Sequence, residues 1–223
     1  MDDVLQLIYE GMYDPCIFKA IFIVGGPGSG KTWIKKKLAL GHMGFVSIDS
    51  DYPLEKYMRQ ANLSLKMPPE EHDERTVIRQ KAKRVTDSKE ESVLDNRLGL
   101  AFAGTGSNLS DTFEKNDMLK KLGYDTAMIF VNTDLRTALS RNENRNRSVP
   151  KQILIDKWTQ SHRNLGEYQR IFDPFWVLDN NGDIRTERQI LNVFSKIQNW
   201  CKKTPTNKKV GDSFEKWRNE KNI

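Results

Sequence analysis

The stretch Gly25-Gly26-Pro27-Gly28-Ser29-Gly30-Lys31-Thr32 decides the fold of this chain. It fits the pattern G-x-x-x-x-G-K-[ST], which begins at Gly25 and ends with Lys31-Thr32. An apolar run of strand length precedes it at 20–24, and residues 32–40 have the composition of a helix. A strand, a glycine-rich turn and a helix together form a cradle of backbone N–H groups that binds phosphate. A chance match in a glycine-rich loop is the alternative, and the context on both sides argues against it.

Each residue type in this stretch has a use in nucleotide binding. The glycines allow the backbone to turn tightly, Lys31 can reach the β- and γ-phosphates, and the Thr32 hydroxyl can hold Mg²⁺. We therefore expect ATP and Mg²⁺ as cofactors, with Lys31 also acting in catalysis and Thr32 as the metal ligand. The expected nucleotide contacts are Gly26, Pro27, Gly28, Ser29, Gly30, Lys31, Thr32 and Trp33.

Composition narrows the protein class. The 223 residues carry a net charge of +6, with 37% apolar and 30% charged residues, which suits one folded domain. Two cysteines and three scattered histidines form no metal pattern, so we interpret them as ordinary residues of a reducing compartment. The acidic start at 1–3 is unlike a signal peptide, and no apolar run is long enough to span a membrane. We expect a cytoplasmic protein whose basic surface favours polyanions.

Apolar runs of strand length alternate with helical patterns along the chain. This alternation predicts an α/β fold, a P-loop three-layer sandwich with a parallel sheet of about five strands, helices on both faces and a helical lid. Residues 52–69 contain three prolines and are expected to be irregular with a short helix inside. Strands are predicted at 18–24, 45–48, 98–103, 126–131 and 175–178, and helices at 4–13, 32–40, 70–94, 110–122, 134–146, 150–171 and 186–201.

Two aspartates follow the second predicted strand. Asp49 and Asp51 lie at its carboxyl end, which is the edge of a parallel sheet where ligands bind. From there Asp51 could accept the proton of an acceptor hydroxyl during phosphoryl transfer. Alternatively, one of the two aspartates caps the next turn or serves Mg²⁺. We favour Asp51 as the catalytic base and expect Asp49 on the substrate side.

Two arginines near the end of the helix predicted at 134–146 are the candidate catalytic cations. Arg141 and Arg145 are four residues apart, so on one helix they would share a face. Guanidinium groups there could neutralise the charge on a phosphoryl group in transit, as part of a lid that closes over ATP. A basic, solvated helix end is the alternative interpretation. Arg147 is a weaker third candidate.

Features of other P-loop classes are absent from the sequence. No guanine-binding N-K-x-D motif occurs, and the third predicted strand ends at Ala103 rather than at an acidic Walker B residue. A short chain with an aspartate at the cleft therefore favours a kinase. We expect one kinase domain over 1–201, with an acceptor-side arm at about 52–97 and a lid at about 134–150. Residues 202–223 are expected to form a basic linker and a short tail.

The same residues resemble the zeta-toxin-like and phage polynucleotide-kinase-like P-loop kinases. The P-loop followed by Ile48-Asp49-Ser50-Asp51 is similar to zeta toxins, in which the second aspartate acts as the base. The resemblance implies that Gly104, Thr105 and Gly106 line the acceptor pocket, although Ala103 stands where zeta toxins carry a substrate-binding glutamate. Residues 139–150 resemble the lid of phage polynucleotide kinases.

These observations favour an ATP-dependent kinase that transfers the γ-phosphate to a hydroxyl group. The basic charge and the lid favour a nucleic acid or nucleotide as the acceptor, and the resemblance implies a phage origin and action in the host cytoplasm. One alternative is a zeta-toxin-like kinase of small molecules or sugar nucleotides. Another is a nucleotide-binding regulatory module without phosphotransfer. The sequence predicts no membrane partner and does not determine the oligomeric state.

Overall fold

The structure is a computed structural model that describes residues 16–66, 68–145, 148–182 and 184–203. The helix predicted at 4–13 and nearly all of the predicted linker and tail lie outside the described residues, as does Arg147. Among the described helices, none is long and apolar enough to cross a membrane.

The described residues contain five strands that form one parallel sheet. The order across the sheet is β2-β3-β1-β4-β5, and every neighbouring pair is parallel. Because β1 is central, it delivers the glycine-rich stretch to the middle of the carboxyl edge. All five predicted strands are confirmed, with ends that differ by at most one residue. The strands are β1 (Lys19–Val24), β2 (Phe45–Ile48), β3 (Gly99–Gly104), β4 (Asp125–Asn132) and β5 (Phe175–Asp179).

Helices cover both faces of this sheet, as the alternating pattern predicts. Two short 3₁₀ helices lie at Leu40–Met43 and Pro69–Glu71. The eight α-helices of the described residues are α1 (Lys31–Lys37), α2 (Asp51–Gln60), α3 (His72–Asp95), α4 (Leu109–Lys121), α5 (Leu135–Glu143), α6 (Lys151–Arg163), α7 (Leu165–Ile171) and α8 (Ile184–Cys201).

The core has two layers because side chains alternate across the strands. On one face, Ile21 and Ile23 of β1 pack with residues of α1 and α8 such as Ile34 and Ile197. On the other face, Phe22 packs with residues of α4 and α7, and its ring lies 5.0 Å from that of Phe172. A central strand buried on both faces explains why β1 is a continuous apolar run.

The arm between β2 and β3 is more regular than the sequence predicts. Residues 51–60 form α2, although prolines indicated an irregular segment, because Pro53 lies in the first turn, where its missing N–H costs no helical hydrogen bond. A third apolar cluster joins α2 to α3 and consists of Leu54, Met58, Leu63 and Ala82. The solvated helix predicted at 70–94 is confirmed as α3.

The long helix predicted from Pro150 to about 171 is wrong in one respect, because it consists of two helices. α6 ends at Arg163 and α7 begins at Leu165, with Asn164 between them. The Asn164 side chain is buried and donates a hydrogen bond of 2.9 Å to the carbonyl oxygen of Gly106. The break therefore attaches this helical pair to the loop that follows β3.

Candidate active site

The glycine-rich loop joins β1 to α1 and requires glycine at two positions. Gly28 and Gly30 have φ values of +80° and +88°, which side chains other than glycine rarely adopt. A Cβ atom at Gly28 would lie 2.4 Å from the Ala138 carbonyl oxygen, and one at Gly30 would lie 2.3 Å from Asn180 Nδ2. The loop is therefore packed directly against α5 and against the turn after β5. Ser29 is 1% exposed, and its carbonyl oxygen accepts hydrogen bonds from Thr133 Oγ1 and Asn180 Nδ2, so Ser29 holds the loop in place.

The Lys31 ammonium group lies inside this loop. Its Nζ donates hydrogen bonds to the carbonyl oxygens of Gly25 and Gly26, at 2.7 and 3.1 Å. Burial lowers the pKa of Lys31 from its ordinary 10.5 to about 8. Smaller electrostatic effects come from Asp51, which raises this pKa, and from Arg145, which lowers it. Two predicted catalytic side chains therefore act on the same ammonium group.

The two aspartates after β2 have different environments. Asp49 is half-buried; its Oδ1 accepts a hydrogen bond from the Asp51 backbone N–H at 2.9 Å, and its Oδ2 lies 3.2 Å from Lys35 Nζ. Asp51 is the first residue of α2, and its side chain is exposed. Asp49 therefore anchors the start of α2, while the carboxylate of Asp51 is accessible at the cleft.

The predicted arginine pair does not share one helix face. α5 ends at Glu143, so Arg145 follows the helix, and the pairing of Arg141 with Arg145 on one face is wrong. A turn at Asn144 redirects the chain before Arg145 is reached. Arg141 lies in the last turn of α5, and its Nη1 donates a 2.8 Å hydrogen bond to the Asn180 carbonyl oxygen. The two guanidinium groups thus have separate surroundings, with Arg145 exposed and acting on Lys31.

A cavity of about 610 Å³ opens beside the glycine-rich loop. Trp33, which the sequence nominates, is 40% exposed and forms part of its wall. The contributions of Asn180 and of the first turn of α8 were not predicted, although the turn after β5 belongs to the same edge of the sheet as the loop. The lining residues are Gly30, Trp33, Arg141, Asn180, Gly182, Thr186 and Glu187.

The loop after β3 has room for a side chain at Gly104 but none at Gly106. A Cβ atom at Gly104 would meet nothing within 4 Å, whereas one at Gly106 would lie 2.1 Å from Val24 Cγ1. The Gly106 carbonyl oxygen accepts a second hydrogen bond of 2.9 Å, from the Tyr168 hydroxyl. The Thr105 hydroxyl lies 2.9 Å from that of Ser107. Gly106 therefore has a structural function, and the hydroxyl groups of its neighbours form the polar part of the loop.

An aromatic pair on α6 supports the glycine-rich loop from behind. A Cβ atom at Gly26 would lie 2.9 Å from Trp158 Cδ1, and Trp158 Nε1 donates a 2.8 Å hydrogen bond to the Thr133 carbonyl oxygen. The ring of His162 stacks on that of Trp158 with centroids 3.8 Å apart. No sequence pattern predicts the contact between Trp158 and Gly26, because the two residues are more than 100 positions apart.

The available oxygen groups fit a magnesium ion. Thr32 is exposed in the first turn of α1, next to Lys31. The charges of Asp49 and Asp51 both raise the pKa of Lys31, so both carboxylates lie near this turn. Mg²⁺ prefers hard oxygen ligands and binds proteins through one or two of them together with substrate phosphates and water. Consistent with such a sparse site, the described residues contain no group of three or more His, Cys, Asp or Glu side chains that could hold a metal.

Comparison with solved structures finds neighbours that share the fold. A chain of the PezAT toxin–antitoxin system of Streptococcus pneumoniae aligns with a TM-score of 0.57 and 16% identity, over 91% of this chain and 95% of that one. A protein from Chloroflexus aurantiacus, whose structure is described as that of "a putative kinase", gives 0.57 and 15%, over 82% and 98%. A chain of the Pnkp1/Rnl/Hen1 RNA repair complex gives 0.51 and 16%, over 70% and 46%. These likenesses show a shared fold.

A family model gives the more specific result. Comparison with curated proteins gives no match. The zeta toxin family model, in contrast, matches residues 18–186, a segment that begins just before β1 and ends in the first turn of α8. It includes the glycine-rich loop, both aspartates, the loop after β3 and the two arginines. This chain therefore belongs to the zeta toxin family of P-loop proteins.

Proposed function

We propose that the protein is a kinase that transfers the γ-phosphate of ATP to a hydroxyl group. One observation carries the proposal: the partly buried Lys31 ammonium group is held against the glycine-rich loop by two carbonyl oxygens, and the charges of Asp51, Arg145 and Asp49 all act on it. An acid–base carboxylate, an arginine and a phosphate-binding lysine close together are the parts that phosphoryl transfer requires. A domain that only binds nucleotide would have no use for the first two.

The donor side of the site is formed by the glycine-rich loop and the adjoining cavity. Backbone N–H groups of residues 28–32 and the Lys31 ammonium would bind the phosphates, and Thr32 would hold Mg²⁺, which supplies charge neutralisation when bound. Gly30 belongs both to the loop and to the cavity wall, so the ribose and base extend naturally into the cavity. Trp33 and Arg141 offer the base a ring and a guanidinium plane there.

The acceptor side begins at Asp51. Its exposed carboxylate takes the proton as the acceptor oxygen attacks the γ-phosphorus and ADP leaves. Lys31 and Arg145 neutralise the charge that develops on the phosphoryl oxygens. Asp49 keeps the start of α2 in place through its contacts with Lys35 and with the Asp51 backbone. In this proposal the segment at 134–150 acts as the lid and the arm at 52–97 as the acceptor side of one domain.

A lysine near the end of β2 favours an anionic acceptor such as a nucleic acid or nucleotide. Lys89 of α3 donates a 3.0 Å hydrogen bond to the Ser47 carbonyl oxygen, and Lys35, which pairs with Asp49, donates to the Ser47 hydroxyl at 2.9 Å. Both cations therefore lie near the end of β2, although Lys89 is 42 residues away in sequence. Polyanion binding needs such positive groups, because each contacted phosphate requires neutralisation.

The family match supports a second candidate, a zeta-toxin-like kinase of small molecules or sugar nucleotides. The match extends through the loop after β3, where the family resemblance implies the acceptor pocket. Ala103 argues against a UDP-amino-sugar, because its methyl group cannot accept the hydrogen bonds that a glutamate would. The two candidates therefore differ in the acceptor and share the donor side.

Transfer of labelled γ-phosphate to a panel of acceptors tests both candidates. The panel contains 5′-hydroxyl oligonucleotides, duplex DNA with and without hydroxymethylated bases, nucleosides and UDP-N-acetylglucosamine. Asp51→Asn should reduce transfer by about 10²–10⁴-fold while nucleotide binding is retained. Asp49→Asn makes the same chemical change at the carboxylate that holds the start of α2, so it should reduce transfer less than Asp51→Asn does.

Each outcome of the panel has a distinct meaning. Label on a nucleic acid or nucleoside supports the first candidate, and label on the sugar nucleotide supports the second. Label on no acceptor, with tight ATP binding, would contradict the kinase proposal and favour a regulatory nucleotide-binding module. Equal transfer by wild type and Asp51→Asn would refute the assignment of the base.

A further inference from the structure

The two cysteines of this chain meet at the edge of the sheet opposite to the candidate active site. Cys16 precedes β1 and Cys201 is the last residue of α8, yet their sulfur atoms lie 2.9 Å apart. They are separated by 185 residues in sequence, and both are buried thiols. The chain contains no other cysteine. Two cysteines can both be buried without being in contact, so the contact between these two sulfur atoms is a separate observation.

Rigid packing holds both thiols in this position. Cys16 Sγ donates a 2.7 Å hydrogen bond to the Met43 carbonyl oxygen, and a Cβ atom at Gly99 would lie 2.8 Å from Cys16 Cβ. On the other side, the ring of Trp200 stacks parallel to that of Phe45, with centroids 6.5 Å apart. The thiols are therefore held close by their surroundings and need little movement to react.

We propose that Cys16 and Cys201 are a redox modification site, at which a hydroperoxide converts the two thiols into a reversible intramolecular disulfide. Cys201 is 7% exposed, whereas Cys16 is 0% exposed, so Cys201 is the thiol that a peroxide reaches first. Its thiolate attacks the peroxide and becomes a sulfenic acid, with water as the product of the departing oxygen. Cys16 then attacks that sulfur, and a second water leaves.

This reaction balances without any further reagent. Two thiols and one hydrogen peroxide give one disulfide and two waters; each sulfur is oxidised by one electron, and each peroxide oxygen is reduced by one. The new bond would join the start of the central strand to the end of the last helix. Because it would close a loop that spans nearly all of the described chain, it should constrain the unfolded state strongly.

Thiol counting with the intact protein tests the proposal without reference to kinase activity. Wild type is treated with stoichiometric hydrogen peroxide, unfolded in guanidinium chloride and alkylated with N-ethylmaleimide. We expect a mass lower by about 2 Da with no alkylation, and two alkylated thiols after dithiothreitol. The thermal midpoint of the oxidised protein should rise by about 5–15 °C and return on reduction.

Single serine variants provide the controls. Cys16→Ser and Cys201→Ser each keep one thiol and should show no such reversible rise, and either one suffices if the other folds poorly. Two alkylatable thiols in peroxide-treated wild type would overturn the proposal. Sulfinic acid products or disulfide-linked dimers in place of the intramolecular bond would also overturn it.

Discussion

The buried Lys31 ammonium predicts that nucleotide binding takes up a proton. Burial lowers the pKa of Lys31 to about 8, which corresponds to about 3 kcal/mol of unfavourable free energy for the charged form. About half of the Lys31 side chains are therefore neutral at pH 8, and about nine-tenths at pH 9. A bound phosphate favours the ammonium form. Each bound nucleotide should then bring about half a proton at pH 8 and nearly one at pH 9.

Isothermal titration calorimetry measures this uptake directly. ADP is titrated into the protein with Mg²⁺ at pH 7, 8 and 9, each time in two buffers whose ionisation enthalpies differ. The phosphates of ADP are already ionised in this range, because their last pKa is near 6. Lys31→Arg is the control, since a guanidinium stays charged and should take up no proton. Absence of proton uptake by wild type at pH 9 would refute the burial argument.

Two variants should shift the pH dependence of proton uptake on nucleotide binding in opposite directions. Asp51→Asn removes a charge that raises the pKa of Lys31, so half-maximal uptake should shift to lower pH. Arg145→Ala removes a charge that lowers this pKa, so half-maximal uptake should shift to higher pH. Shifts in the same direction, or none, would contradict the placement of these two side chains around Lys31.

Two further predictions concern stability. Gly106→Ala should lower the free energy of unfolding in urea by more than about 2 kcal/mol, because the new Cβ atom would contact Val24 and the residue would keep a φ of +67°. Gly104→Ala is the control and should change this free energy little, because a Cβ atom there meets nothing within 4 Å. Asp134→Ala should cost about 1 kcal/mol, because Asp134 caps α5 by accepting the Thr137 N–H at 2.7 Å. These bonds lower the pKa of Asp134, so its contribution is present above the ordinary carboxyl pKa and is lost as pH falls through the lowered one.

Much of the fold could be predicted because its signals are local. Each strand is an apolar run bounded by polar or glycine residues, and β1 is buried on both faces, so its pattern is unambiguous. Two features that the sequence predicts only in part have tertiary causes. Residues 51–60 form a helix because Leu54 and Met58 pack against α3. The interruption at Asn164 depends on a hydrogen bond to Gly106, which lies 58 residues away.

The positions of candidate site residues were predictable where those residues follow a strand directly. Lys31 and Asp51 come after β1 and β2, and parallel strands bring such residues to one edge. Arg145 was expected near the phosphates on a helix face, and it acts on Lys31 from beyond the helix end instead. Asn180 and Trp158 were missed, because each is recognised only by the contact it makes with the glycine-rich loop.

The donor and acceptor sides differ in how the chain builds them. The donor side rests on one continuous strand, loop and helix, in which Gly28 and Gly30 leave little room for substitution. The proposed acceptor side is assembled from α2 and α3, which pack together, and from the loop after β3, all distant in sequence from the glycine-rich loop. A residue such as Ala103 at the end of β3 can differ from a relative's without disturbing the phosphate-binding loop. The same fold can therefore combine one phosphate-binding loop with different acceptor pockets. For this reason family membership favours nucleotide binding at the loop, and an acceptor panel is needed to identify the substrate.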